Sequence, residues 1–313
     1  MFGGALMGGR GPDAQHLRVS PLAARAVEGM VFLSGSARSG TTILGKILHT
    51  AREVEYAMEP PTLFSLIPLV DQLDAATWKM LYETFCYEEL LLGFLAGRTL
   101  NFNPHDDSCI YNAKPRAEIL QRHERSFRKG ELEALASRRV LVVKMPDMVP
   151  FLPRMRSYYP AMKIVVVNRK ANDVLNSLHK KAWFEDLSAD SPDLVWPYRL
   201  HKGCKVLFWV EPEQADWWCA ATPLERCAYY CLRMMQVLPR VSGCITVNYH
   251  HLLERPAEVT NRLFGSLGLS PTTKTEEALA TVAPTTPPRE DLLAKLPPSL
   301  RKSIEAVEAK HLA

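Results

Sequence analysis

Long apolar runs are missing from this chain of 313 residues. No stretch approaches the ~18 uninterrupted apolar residues that a membrane span needs, and Met1–Met30 lacks the basic region followed by an apolar core that marks a secretory leader. A surplus of one charge is missing too: 38 basic residues face 34 acidic ones, a formal balance of +4. That is too mild for a protein that coats nucleic acid or an anionic membrane, so neither is expected as a partner and a small molecule is. Paired cysteines are the third absence. The seven cysteines are odd in number and contain no C-x-x-C, which excludes a disulfide framework and a zinc knuckle. Reduced thiols in a cytoplasmic protein without a bound metal are expected instead.

What the chain does have is apolar substance, 47% of its residues, enough for one substantial core and too much for disorder throughout. Residues 1–28 are rich in Gly, Ala and Arg without a period and read as a mobile leader, with order beginning near Met30 and a single domain over 29–313. Four short β-branched runs follow, at Met30–Leu33, Val140–Val143, Lys163–Asn168 and Cys244–Asn248. Each is too short for a helix that stands alone, and apolar on both faces. Helical periods lie between them: Thr41–Thr50, Ala75–Gly97, Arg116–Ser137, Asn172–Lys180 with Asn172 as N-cap, Pro223–Leu238 and Pro256–Leu267. Apolar strands joined by crossover helices predict an α/β fold, a parallel sheet with helices on both faces. Five of the six tryptophans (Trp183, Trp196, Trp209, Trp217 and Trp218) fall in an aperiodic insertion at about 181–222, which is expected either to pack onto the sheet or to stack on a flat acceptor. Thr272–Pro298 is rich in Thr and Pro, and a charged helical pattern follows from Ser299 to Leu312.

The most informative segment is Val31-Phe-Leu-Ser-Gly35-Ser-Ala-Arg-Ser-Gly40-Thr-Thr-Ile-Leu. An apolar strand, a loop of small residues and an amphipathic helix in succession let backbone N–H groups converge on an anion at the positive end of the helix. The nucleotide-hydrolase form of this loop is G-x-x-x-x-G-K-[ST]. Gly35 and Gly40 match it, but Thr41 stands where the lysine belongs. Without the lysine that reaches the β- and γ-phosphates, cleavage of a triphosphate is disfavoured. Arg38 supplies a forked cation in its place. A P-loop kinase or hydrolase, and a nucleotide-binding protein without catalysis, are the alternatives to keep beside an enzyme that uses another phosphorylated donor.

The run Arg38-Ser39-Gly40-Thr41-Thr42 resembles the 5′-phosphosulfate loop of the bacterial-type P-loop sulfotransferases that use 3′-phosphoadenosine 5′-phosphosulfate (PAPS), with Ala37 in place of the family's proline. Two later segments are similar to the same family. Arg169-Lys-Ala-Asn-Asp173-Val-Leu-Asn-Ser177, after an apolar strand, looks like its 3′-phosphate motif. Tyr249-His-His-Leu, then Pro256 and Leu267-Gly268-Leu269, looks like its late strand and turn. The resemblance implies PAPS as donor, with Arg38, Ser39, Gly40, Thr41 and Thr42 at the 5′ end, Arg169 and Ser177 on the 3′-phosphate, Asp173 anchoring the turn, and Tyr249 beside the adenine. His250 and His251 replace an acidic pair and are expected on an exposed turn, and Lys274 and Arg289 are candidates for further cations at the 3′-phosphate.

Sulfuryl transfer is an in-line displacement that needs positioning, a cation at the leaving oxygen and a base for the acceptor. Lys144, after strand Val140–Val143, resembles the lysine that relatives place near the transferring group, and Pro146 occupies the position where many relatives have a catalytic histidine. In other branches a glutamate beyond the loop helix is the base. That implies Glu59 here, beside apolar Met58 and two prolines expected to raise its pKa, with Glu55, His49 and His179 in reserve. The expected reaction moves a sulfuryl group to a hydroxyl or amine of a small aromatic or lipophilic acceptor.

Overall fold

Side chains of a strand alternate between its two faces, and along Val31–Leu33 that alternation divides the core: Val31 and Leu33 join one apolar cluster, Phe32 the other. The computed structural model describes residues 17–192, 197–284 and 290–311. Its strands in chain order are β1 (Val31–Gly35), β2 (Val54–Met58), β3 (Val140–Lys144), β4 (Lys163–Asn168), β5 (Tyr198–His201), β6 (Cys204–Leu207) and β7 (Ile245–Asn248). Five of them form a parallel sheet in the order β2-β3-β1-β4-β7, while β5 and β6 pair as a separate antiparallel hairpin. Both faces of the sheet are covered by helices, which is why the middles of its inner strands are apolar on both faces. From β1 the chain crosses to the edge strand β2, returns to β3 beside β1 and then crosses to β4 on the other side of β1, so a crevice opens at the carboxyl ends of β1 and β4, where open α/β sheets bind ligands. Gly35, Ser36, Asn168, Arg169, Met234 and Met235 are among the residues that line it.

The four expected strands are all present. The sheet has a fifth, β2, which the hydrophobic pattern hides because Glu55 interrupts it. Glu55 is nevertheless buried, held by both terminal nitrogens of Arg122 at 2.8 Å each. The leader expected through residue 28 is corrected: Pro21–Glu28 is a helix, capped by Ser20, with Ala23 and Val27 one turn apart and buried against the main core. The helical run expected over Ala75–Gly97 extends from Ala75 to Leu95 with a π-helical stretch at Phe85–Leu91. Arg116–Ser137 is two helices, Arg116–Glu124 and Lys129–Ala136, because the second has its own start, where Glu131 accepts the Arg128 N–H. Asn172 is not a cap. Lys170 occupies the N-cap position of Ala171–His179, and the Ala171 N–H is taken by Glu308 Oε1 at 2.6 Å. The Asn172 amide instead ties down the C-terminal segment, donating to the Glu290 carbonyl and accepting from Leu292 N–H, both at 3.0 Å. Thr272–Pro298 contains a helix, Thr273–Ala280. All seven cysteines are free thiols, and among the described residues no helix is long and apolar enough to cross a membrane.

Candidate active site

The glycine loop expected to hold a phosphate leaves β1 at Gly35 and enters the helix Thr41–His49 at Gly40. Three of its residues have positive φ: Gly35 at 146°, Arg38 at 65° and Gly40 at 99°. Gly40 is required twice over, since a Cβ there would lie 2.3 Å from the Tyr249 ring in addition to the strained backbone. Thr41 and Thr42 open the helix, so their N–H groups have no carbonyl to reach within it and are available to an anion.

The loop and the strand end carrying Arg169 are in direct contact. The Arg169 guanidinium donates to the Arg38 carbonyl at 2.7 Å, and Arg38 Nε donates to Ser177 Oγ at 3.0 Å. Arg169 also lies over the Tyr249 ring, 4.4 Å from its centroid, and 3.8 Å from Asp173. Asp173 thus anchors the turn, and its second partner is His250, whose Nε2 is 2.8 Å away. His251 is exposed, while His250 is half-buried in this contact rather than free on a turn. Tyr249 itself is buried, with its ring edge against Gly40 and the guanidinium over its face. Lys274 is elsewhere, ion-paired to Glu277 and facing the outer side of the loop helix near Lys46, and Arg289 lies outside the described residues.

Lys144 is 3% exposed at the end of β3, where its Nζ meets Glu59 Oε1 and the Thr42 hydroxyl, the latter at 3.1 Å. Glu59 adopts φ 49° just past β2, and its N–H still pairs with the Lys144 carbonyl at 2.9 Å. Its carboxylate therefore has the Lys144 ammonium beside it, not only the apolar surroundings expected from Met58 and the prolines. The reserve bases are accounted for otherwise. Glu55 is engaged by Arg122, and His179 faces solvent on the last turn of its helix. His49 is buried, and that burial, with Lys114 and Arg122 nearby, pushes its pKa down to about 3 and leaves it neutral. Along the open edge of β2, a cavity of about 200 Å³ is lined by Met58, Pro60, Leu90, Phe94, Asn101 and Ser108, among others.

The family model described as the sulfotransferase family matches residues 30–273. The chain belongs to that family. No curated protein sequence matches it. Among solved structures it is similar to the sulfotransferase domain of the Synechococcus PCC 7002 olefin synthase, at 14% identity and TM-score 0.45, over 91% of this chain and 94% of that one. Sulfotransferase STF9 from Mycobacterium avium is 12% identical with TM-score 0.44, covering 91% and 76% of the two chains. The sulfotransferase domain from the curacin biosynthetic pathway is 14% identical with TM-score 0.42, covering 90% and 96%.

Two residues of this sulfotransferase that the motifs do not mark lie under the loop. Asp147, three residues past β3, and Tyr230, from the helix Pro223–Val237, both contact Ala37. The position of Asp147 just beyond a strand end is the only signal the sequence offers for either. The aromatic insertion packs largely on itself: Trp209 and Trp218 are buried and meet edge to face at 5.2 Å, and Phe184 touches both. That is packing onto the body rather than a free platform. Trp217 keeps partial exposure, and Trp196 lies outside the described residues.

Proposed function

We propose that this sulfotransferase moves a sulfuryl group from PAPS to a hydroxyl or amine of a small acceptor. The observation that carries the reading is the junction of its two phosphate motifs, where Arg169 bonds the loop backbone and Arg38 bonds Ser177. The chain brings Arg38, Arg169, Lys144 and the amides of Thr41 and Thr42 to one edge of the sheet, a set of donors that suits a nucleotide with two phosphates and a sulfate. When bound, the donor supplies the sulfuryl group and leaves as adenosine 3′,5′-bisphosphate.

Each residue has a role consistent with its contacts. Arg169 and Ser177 take the 3′-phosphate, while Arg38, Ser39, Gly40, Thr41 and Thr42 take the 5′ end. Lys144, fixed by Glu59 and Thr42, holds its charge where negative charge grows on the leaving oxygen, an interaction stronger in the transition state than before it. Glu59 accepts the acceptor's proton. Its backbone turn carries the carboxylate off the strand end to Lys144, and its chain neighbours Met58 and Pro60 line the cavity on the open edge of β2, which we assign to the acceptor. Tyr249 acts from beneath the loop, as a seat for Arg169.

Calorimetric titration with adenosine 3′,5′-bisphosphate, AMP and ATP tests the donor. Tightest binding is expected for the bisphosphate, weakened about 10–100-fold by Arg169→Ala, the worth of a charge-assisted hydrogen bond. Equal affinity for AMP and the bisphosphate, indifferent to that substitution, refutes the reading.

A further inference from the structure

Under the phosphate loop lie two groups that the transfer reaction leaves unused, the Asp147 carboxyl and the Tyr230 hydroxyl, 2% and 0% exposed. Asp147 touches the loop at two points. Its N–H donates to the Gly35 carbonyl at 3.1 Å, and its Oδ1 accepts the Ala37 N–H at 3.2 Å. This double hold uses a left-handed backbone at φ 70°, a conformation Asp adopts more readily than most residues. The Tyr230 hydroxyl donates to the same Oδ1, and its oxygen also accepts from Ala37 N–H. Tyr230 is in turn braced by the aromatic insertion, with Trp209 at 5.0 Å and Phe184 at 5.8 Å between ring centroids. One continuous chain of contacts therefore runs from the tryptophan-rich segment to the phosphate loop, and it turns the Ala37 N–H away from the ligand side.

We propose that Asp147 and Tyr230 are positioning residues for the donor: they pin Gly35–Ala37 from below, so that Arg38 and the amides opening the Thr41–His49 helix are set before the anion arrives, and they couple its arrival to a proton on Asp147. The proposal rests on the donor reading above and extends it to a pair of residues that touches no substrate. The electrostatics follow from what surrounds the carboxyl. Burial pushes its pKa up to about 6, and Glu59 acts in the same direction; the Tyr230 hydroxyl, the Ala37 N–H and Lys144 pull the other way. A polyanion seated on the far side of the loop favours the neutral carboxyl further. Donor binding then takes up a proton near neutrality, and affinity falls as pH rises from about 6 to about 8.

The experiment is calorimetric titration of the full chain with adenosine 3′,5′-bisphosphate across that range, in buffers of different ionisation enthalpy, for wild type, Asp147→Asn and Tyr230→Phe. The ligand's own titration is common to all three, so differences report the protein. Wild type is expected to take up more protons than Asp147→Asn, whose affinity profile flattens. Tyr230→Phe deletes only a hydroxyl and keeps the ring's packing. It is expected to bind about 2–10-fold more weakly, as for one lost hydrogen bond, with the proton-uptake window moved to higher pH because a pull that favoured the carboxylate is gone. Wild-type affinity and proton uptake in both variants overturn the proposal. Uniform weakening at every pH with unchanged uptake also overturns it, since that is loosening without coupling. A wild-type protein that does not bind the bisphosphate refutes the donor reading itself, and the proposal with it.

Discussion

Replacing Gly40 by alanine tests the phosphate loop at its tightest point. The added methyl would sit 2.3 Å from Tyr249 Cδ2 and 2.6 Å from Cε2, on a backbone at φ 99°. Two costs follow. Holding a non-glycine residue in that conformation costs about 1–3 kcal/mol. Displacing a buried ring that also carries Arg169 at 4.4 Å costs about 1–3 kcal/mol more, in the range for overpacked cores. Gly40→Ala is therefore expected to lower stability by about 2–6 kcal/mol in urea denaturation and to abolish bisphosphate binding, because Arg169 leaves its seat. The steric part can be separated. In a Tyr249→Leu background the clash is relieved and only the backbone cost of about 1–3 kcal/mol remains, so the two substitutions are expected to couple by a similar amount. Gly265→Ala is the control. Gly265 lies within the helix Pro256–Leu267 with nothing near its Cβ position, and the substitution is expected to stabilise by about 0.5–1 kcal/mol. Equal denaturation midpoints for Gly40→Ala and Gly265→Ala would refute both the left-handed turn and the seating of Tyr249 beneath it.

Two further outcomes are expected. Glu59→Gln keeps the shape of the side chain but not its basicity. Turnover should fall about 10²–10⁴-fold while bisphosphate affinity is kept, and full turnover in a sulfuryl-transfer assay would discard Glu59 as the base. His49 has a folded pKa pushed down to about 3 from an ordinary 6.5, so its contribution is present above the unfolded value and is lost as pH falls from 6.5 toward 3. His49→Gln should therefore flatten the acid limb of stability between those values, measured as urea midpoints; parallel limbs for variant and wild type would exclude His49 as the titrating group.

The chain's local order determined a good part of this. Strand runs such as Lys163–Asn168 and the helix Pro256–Leu267 have the bounds their pattern predicts, because the unbroken apolar run of the one and the helical apolar period of the other are themselves the cause of their burial. The loop Gly35–Gly40 was equally legible as a strand-to-helix turn, since its strand, glycines and helix are contiguous. Long-range pairing was not legible. Glu55 looked like a spare base until Arg122, 67 positions away, took both its oxygens, and Asp147 was marked only by its place past a strand end until Tyr230, 83 positions away, closed over it. Asn172 was read as a cap by its residue type, but Lys170 holds that position and Glu308 from the last helix accepts the Ala171 N–H. The tryptophans were legible as a cluster, with packing and acceptor stacking both left open by the sequence. In each case a buried polar or aromatic group must find a partner, and nothing in periodicity says which distant segment supplies it; only the assembled sheet, by bringing strand ends together, decides.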